Sequence, residues 1–148
     1  MAPKISDSTH QAYLQYLKMR ENNISNFEIA KRLGYSNEEF GYMISQYEFK
    51  SNLEYHIPEQ EGDYFFNGCF YLSCGVRNTL QNQEIAEIFT FLKRLVKQHD
   101  GIDYLQSFYC IEHDCKVFAI DQLSKTMLDS GKYSQEYHYF TLILAEEY

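Results

Sequence analysis

LQNQEIAEIFTFLKRLVKQHDGIDYLQSFYCIEHDCKVFAIDQL, residues 80–123, changes its period halfway along. From Leu80 to Gln98, the residues Ile85, Ile88, Phe89, Leu92, Leu95 and Val96 recur at three- and four-residue steps, which lays an apolar stripe along one helix face. Gly101 follows the end of that helix. Ile102 to Ile111 and Lys116 to Leu123 then read as two strands, with Glu112-His113-Asp114 as a tight turn between them. A long amphipathic helix next to a strand hairpin is an α+β arrangement, with the helix packed on a mostly antiparallel sheet.

The flanking sequence extends this pattern. Tyr137 to Ala145 predicts a last strand, and Tyr64 to Val76 (YFFNGCFYLSCGV) predicts an earlier one, bent at Gly68. Residues 51–63 hold Pro58, Gly62 and the polar run EQEGD, and read as a linker. Before it the chain is helical in pattern. Residues 8–22 place Ala12, Tyr13, Tyr16, Leu17 and Arg20 on one helix face. Ser25 or Asn26 caps a short helix, Phe27 to Leu33, which Gly34 closes. Ser36 caps a third helix running to about Phe49, with Glu38 and Glu39 near its positive end. The expected fold class is therefore α+β: an N-terminal three-helix unit over 1–50, a linker over 51–63, and a small mostly antiparallel sheet with one long packed helix over 64–148.

Residues 26–45 (NFEIAKRLGYSNEEFGYMIS) resemble the helix-turn-helix motif of DNA-binding repressors. Ala30 stands where two helices cross, Gly34 at the turn, and Ile29, Leu33, Tyr35, Phe40 and Met43 at the inward positions. The resemblance implies that the second helix enters the major groove, with Lys31, Arg32 and Asn37 as DNA-binding residues and Lys18 and Arg20 available to phosphates. The charge pattern departs from it. No Lys or Arg occurs from Tyr35 to Phe49, and Glu38 and Glu39 would repel phosphates.

Composition points the same way. The formal net charge is -8, and nearly all the excess lies in residues 58–148, with seven basic and fourteen acidic side chains. Duplex binding needs cations that displace counterions, and that balance opposes it. Aromatic residues make up 17% of the chain, with 14 Tyr and no Trp. Tyr joins an apolar ring to a polar tip and suits contact surfaces. The N-terminus, MAPKISDST, has no apolar core segment, and no apolar run reaches the ~20 residues that cross a bilayer. The expected location is cytoplasmic, with no membrane contact and with reduced thiols.

Catalytic and metal patterns are weak. Cys69 and Cys74, and Cys110 and Cys115 with His113 between them, form two equally spaced pairs that invite a zinc reading. The spacing is longer than a zinc knuckle uses, and residues five apart on a strand face opposite ways. Buried thiols are the alternative, and no metal or cofactor is expected. His99 and His113 sit at a helix end and a turn, and Glu84/Glu87 and Glu146/Glu147 read as solvated faces rather than acid–base pairs. Tyr133, Tyr137, Tyr139 and Phe140 could stack single-stranded bases, but only Lys125 and Lys132 are near them, so a protein interface fits better.

FYLSCGV (70–76), DYLQSF (103–108) and TLILAEEY (141–148) are similar to parts of the DUF960-like set of short proteins of Gram-positive bacteria, their phages and plasmids. That resemblance implies a mobile-element setting and transfers no catalytic residue. By analogy, the chain is expected to be a non-enzymatic binding protein that inhibits a host nucleic-acid-targeting defence enzyme, in the manner of anti-CRISPR proteins. Glu38, Glu39, Tyr42, Tyr133, Tyr137 and Tyr139 are the expected partner-binding residues. The expected partner is a protein with a basic cleft. A DNA-binding regulator is the second reading, and a homodimer stays open.

Overall fold

The computed structural model describes residues 7–22 and 24–148. Three helices come first: α1 (Asp7–Glu21), α2 (Asn26–Leu33) and α3 (Asn37–Glu48). Then follow β1 (Leu53–His56), β2 (Cys69–Leu72), α4 (Cys74–Thr79), α5 (Asn82–His99), β3 (Leu105–Cys110), β4 (Cys115–Asp121), α6 (Lys125–Asp129) and β5 (Tyr139–Leu144). The fold is α+β, as the sequence predicts.

Local chemistry explains the helix ends. The Ser25 hydroxyl accepts from Glu28 N to start α2, and Gly34, at φ 75°, closes it in the left-handed region that a side chain disfavours. Ser36 and Glu39 form a reciprocal capping box at the start of α3. Of the expected stripe on α5, Ile88, Leu92, Leu95 and Val96 are buried and Ile85 and Phe89 half-buried, and Phe91 joins the buried face. On α1, Ala12, Tyr16 and Arg20 are buried while Leu17 stays exposed.

The sheet runs β1-β3-β4-β5-β2, antiparallel except where β2 lies parallel to β5. Two segments differ from expectation. The stretch read as a linker contains β1, which pairs with β3 and buries Leu53 and Tyr55. Four residues are too short to show a period, so only the pairing reveals the strand. Tyr64 to Val76 is not one strand. Tyr64 makes a single bridge to Ile102, Phe66 turns the chain at φ 47°, and the strand lasts only from Cys69 to Leu72. Ser73 then accepts from Val76 N and starts α4, because a capped turn that buries Val76 competes with further pairing.

One hydrophobic core joins the helical unit to the sheet. Tyr16 meets Phe40 at 5.5 Å between ring centroids, Tyr55 meets Phe91 at 4.8 Å, and Phe66 meets Phe140 at 5.5 Å. The aromatic residues of α5 contact Phe108, Phe140 and Tyr55, so the long helix covers one face of the sheet.

Candidate binding surface

The helix-turn-helix positions meet as spaced: Ile29, Ala30, Phe40 and Met43 are all buried around the α2–α3 turn. α3, which would read DNA, also spends a face on the sheet. Gly41 lies so close to β1 that a Cβ would overlap the Tyr55 carbonyl oxygen. The strip of α3 left to solvent carries Glu38, Glu39 and Tyr42. Glu39 is held in its own capping box, so only Glu38 and Tyr42 are uncommitted there. Asn37 is half-buried. Lys31 and Arg32 are exposed on α2, and Arg32 Nε donates to Glu28 at 3.2 Å.

Arg20, expected to be available to phosphates, is buried at 8% exposure. Its Nη1 donates to Asn26 at 3.0 Å and lies 2.6 Å from His99 Nε2. Burial and the neighbouring guanidinium push the His99 pKa down to about 4. A charged imidazole at a helix C-terminus would favour the dipole, but desolvation and Arg20 oppose it more strongly. Asn26 and His99 also line a cavity of about 260 Å3 between α2, β1, α5 and β3. Its inner polar wall is self-satisfied: the Tyr55 hydroxyl donates to Gln106 Oε1 at 2.6 Å, and Gln106 Nε2 donates to the Asp103 carbonyl at 3.0 Å.

The carboxylates read as solvated are mostly structural. Glu84 is buried, accepts from Gln81 N at 2.8 Å, and lies 2.9 Å from His113 Nε2. Glu87 accepts from Lys50 N at 2.5 Å and Ser51 N at 3.1 Å. Glu147 accepts from the Ser73 hydroxyl at 2.6 Å, Gly75 N and Leu144 N. These hydrogen bonds hold its carboxyl below the usual carboxylate range, the Ser73 hydroxyl contributing most. Glu146 is exposed.

The two cysteine pairs stand apart. Cys69 lies on β2 and Cys110 on β3, three strand spacings or about 14 Å across the sheet. Cys74 opens α4 rather than continuing a strand. Among the described residues, no group of three or more His, Cys, Asp or Glu is placed to hold a metal ion.

The face of the sheet opposite α5 collects the tyrosines. Strand alternation puts Tyr109, Phe118, Tyr139, Ile143 and Tyr71 on that side, all half-buried or exposed, while Phe108, Val117, Phe140 and Leu142 face the core. Tyr71 and Tyr139 meet edge-to-face at 5.3 Å, and Tyr148 meets Phe118 in the same geometry at 5.7 Å. Tyr133 and Tyr137 are exposed on the stretch 131–137 that leads into β5. Tyr139, predicted from sequence, thus gains Tyr71, which sequence reasoning missed. Strand alternation could flag Tyr71 as exposed, but only the β2–β5 pairing shows its neighbour. The other predicted group, Glu38, Glu39 and Tyr42, rides on the helix that covers β1, at the opposite sheet edge from β2.

No helix among the described residues is long and apolar enough to cross a membrane. No family model matches the chain, and no curated protein or solved structure shows a significant match to it.

Proposed function

We propose that this chain is a non-enzymatic binding protein that acts by protein–protein contact through the tyrosine-rich outer face of its sheet. The observation that carries the reading is the Tyr71–Tyr139 pair: two adjacent aromatic rings on a sheet face that α5 leaves uncovered. Exposed aromatics of this kind anchor interfaces because they bury much area at little rotamer cost. The net charge of -8 favours a basic partner surface and fast encounter with it. In the mobile-element setting that the resemblance implies, such a partner is a host nucleic-acid-targeting defence enzyme with a basic cleft, and the chain acts as an anti-CRISPR-like inhibitor. A cytoplasmic location belongs to the same proposal.

The test compares the full chain with Tyr71→Ala/Tyr139→Ala and with Lys31→Glu/Arg32→Glu in binding to purified basic-cleft nucleases and to duplex DNA across a salt series. The reading expects nuclease binding that the tyrosine variant loses and the charge-reversal variant keeps. Salt-dependent duplex binding abolished by the charge reversal, with no nuclease binding, would instead establish a DNA-binding regulator.

A further inference from the structure

Cys110 ends β3 and Cys115 opens β4, and the strand register sets them directly opposite one another. Opposite residues of an antiparallel pair project to the same face with Cα atoms about 4.5–5.5 Å apart. A disulfide spans Cα separations of about 4.4–6.8 Å, a range that includes the spacing of directly opposite residues. The two side chains therefore sit side by side on the core-facing side of the hairpin. Their exposure differs. Cys110 is fully buried, whereas Cys115 is reachable from solvent.

We propose that Cys110 and Cys115 form a redox modification site, which a low-molecular-weight disulfide such as oxidised glutathione converts to a reversible cross-strand disulfide. Cys115 is the attacking thiol, because it is accessible while Cys110 is buried. It loses its proton to solvent and attacks one sulfur of the glutathione disulfide. That S–S bond breaks, and the first glutathione leaves as a thiolate. Cys110 then loses its proton and attacks the Cys115 sulfur, and the second glutathione leaves. Two protein thiols lose two electrons and two protons, and two glutathione thiols gain them.

The surroundings slow the reaction of the resting pair. Burial pushes the Cys110 thiol up to about 12 and raises Cys115 as well. Acidic groups add to the rise at Cys115: Glu84 from α5, Glu146 beyond β5 and Asp114 in the turn. Oxidation is therefore slow at neutral pH and accelerates as the pH rises. The bond would pin the turn whose His113 meets Glu84 on α5.

The experiment uses the full chain carrying Cys69→Ser and Cys74→Ser, which removes the exposed thiols. The folded protein is incubated with oxidised glutathione at about pH 8, quenched with acid and digested with trypsin. The peptide spanning residues 98–116 holds both remaining cysteines. The expected result is a peptide lighter by two hydrogen atoms, with no glutathione attached and full reversal by dithiothreitol. The oxidised protein should melt roughly 4–8 °C higher than the reduced one. Adding Cys110→Ala should trap glutathione on Cys115, with Cys110→Ser as a second version if alanine impairs folding. Adding Cys115→Ala should leave Cys110 unreacted. A stable glutathione adduct on Cys115 when both thiols are present overturns the proposal. So does a folded protein that stays unmodified while the urea-unfolded chain reacts.

Discussion

The hydroxyl of Ser45 on α3 accepts the backbone N–H of Tyr55 on β1 at 2.8 Å and donates to the Gly41 carbonyl at 2.6 Å. β1 is an edge strand, and an edge amide without a partner either costs stability or recruits another chain. α3 removes that problem by lying along the edge, and Gly41 is what lets it come close. Ser45→Ala should therefore cost about 1–3 kcal/mol, the penalty of an unpaired buried N–H. Gly41→Ala should cost at least as much, because its Cβ would overlap the Tyr55 carbonyl and push α3 outward. Urea midpoints measure both, and a cost below about 0.5 kcal/mol for each would contradict this account of the junction.

His99 sets a pH dependence. Its folded pKa is depressed to about 4, first by burial and then by Arg20. At neutral pH it is uncharged in both states and contributes no pH slope. As pH falls below about 6.5 the unfolded chain takes up a proton that the folded chain refuses, so stability drops until about pH 4. With allowance for its partial contact with solvent, the loss is about 2 kcal/mol. His99→Gln should flatten this part of the profile. Unfolding curves for the two proteins at intervals between those pH values would decide it, and parallel profiles would count against the Arg20–His99 coupling.

Phe66 holds a left-handed backbone at φ 47° while wholly buried. Both its polar groups are secured: its N–H donates to Asp121 Oδ2 at 2.9 Å, and its carbonyl accepts from the Lys93 ammonium. Such a conformation persists only where its surroundings over-determine it. Asp121→Ala should cost about 1–3 kcal/mol. Asp121→Asn keeps an acceptor and should cost less than half of that. Equal losses in the two variants, read by thermal or urea unfolding, would show that the Phe66 hydrogen bond is not what Asp121 contributes.

Tyr71 and Tyr139 should separate binding from folding. Tyr71→Ala removes an exposed ring, so its cost to stability should stay near the ~0.5–1.5 kcal/mol of an aromatic pair. If the pair anchors a partner, the same change should weaken binding roughly 10- to 100-fold. Calorimetry of binding beside calorimetry of unfolding distinguishes the two effects. A variant that loses stability and affinity in proportion would make the pair a folding element rather than a contact.

Much of this molecule is readable along the chain. The helical period of Leu80 to Gln98, the caps at Ser25 and Ser36, and the closing Gly34 all act within a few residues, so spacing and side-chain chemistry determine them. The α+β class and the three-helix start follow from those local signals. What meets across distance does not. Arg20 looks like any surface cation until α1 packs over His99, seventy-nine residues away. Residues 53–56 become a strand only because β3 offers them a partner. Cys69–Cys74 and Cys110–Cys115 share one spacing, yet a hairpin register joins only the second pair, while a Ser73 cap turns the first out of its strand. The physical reason is the same in each case. Local propensity needs only neighbouring residues, whereas burial, pKa and side-chain pairing depend on which distant segment supplies the other half of the contact.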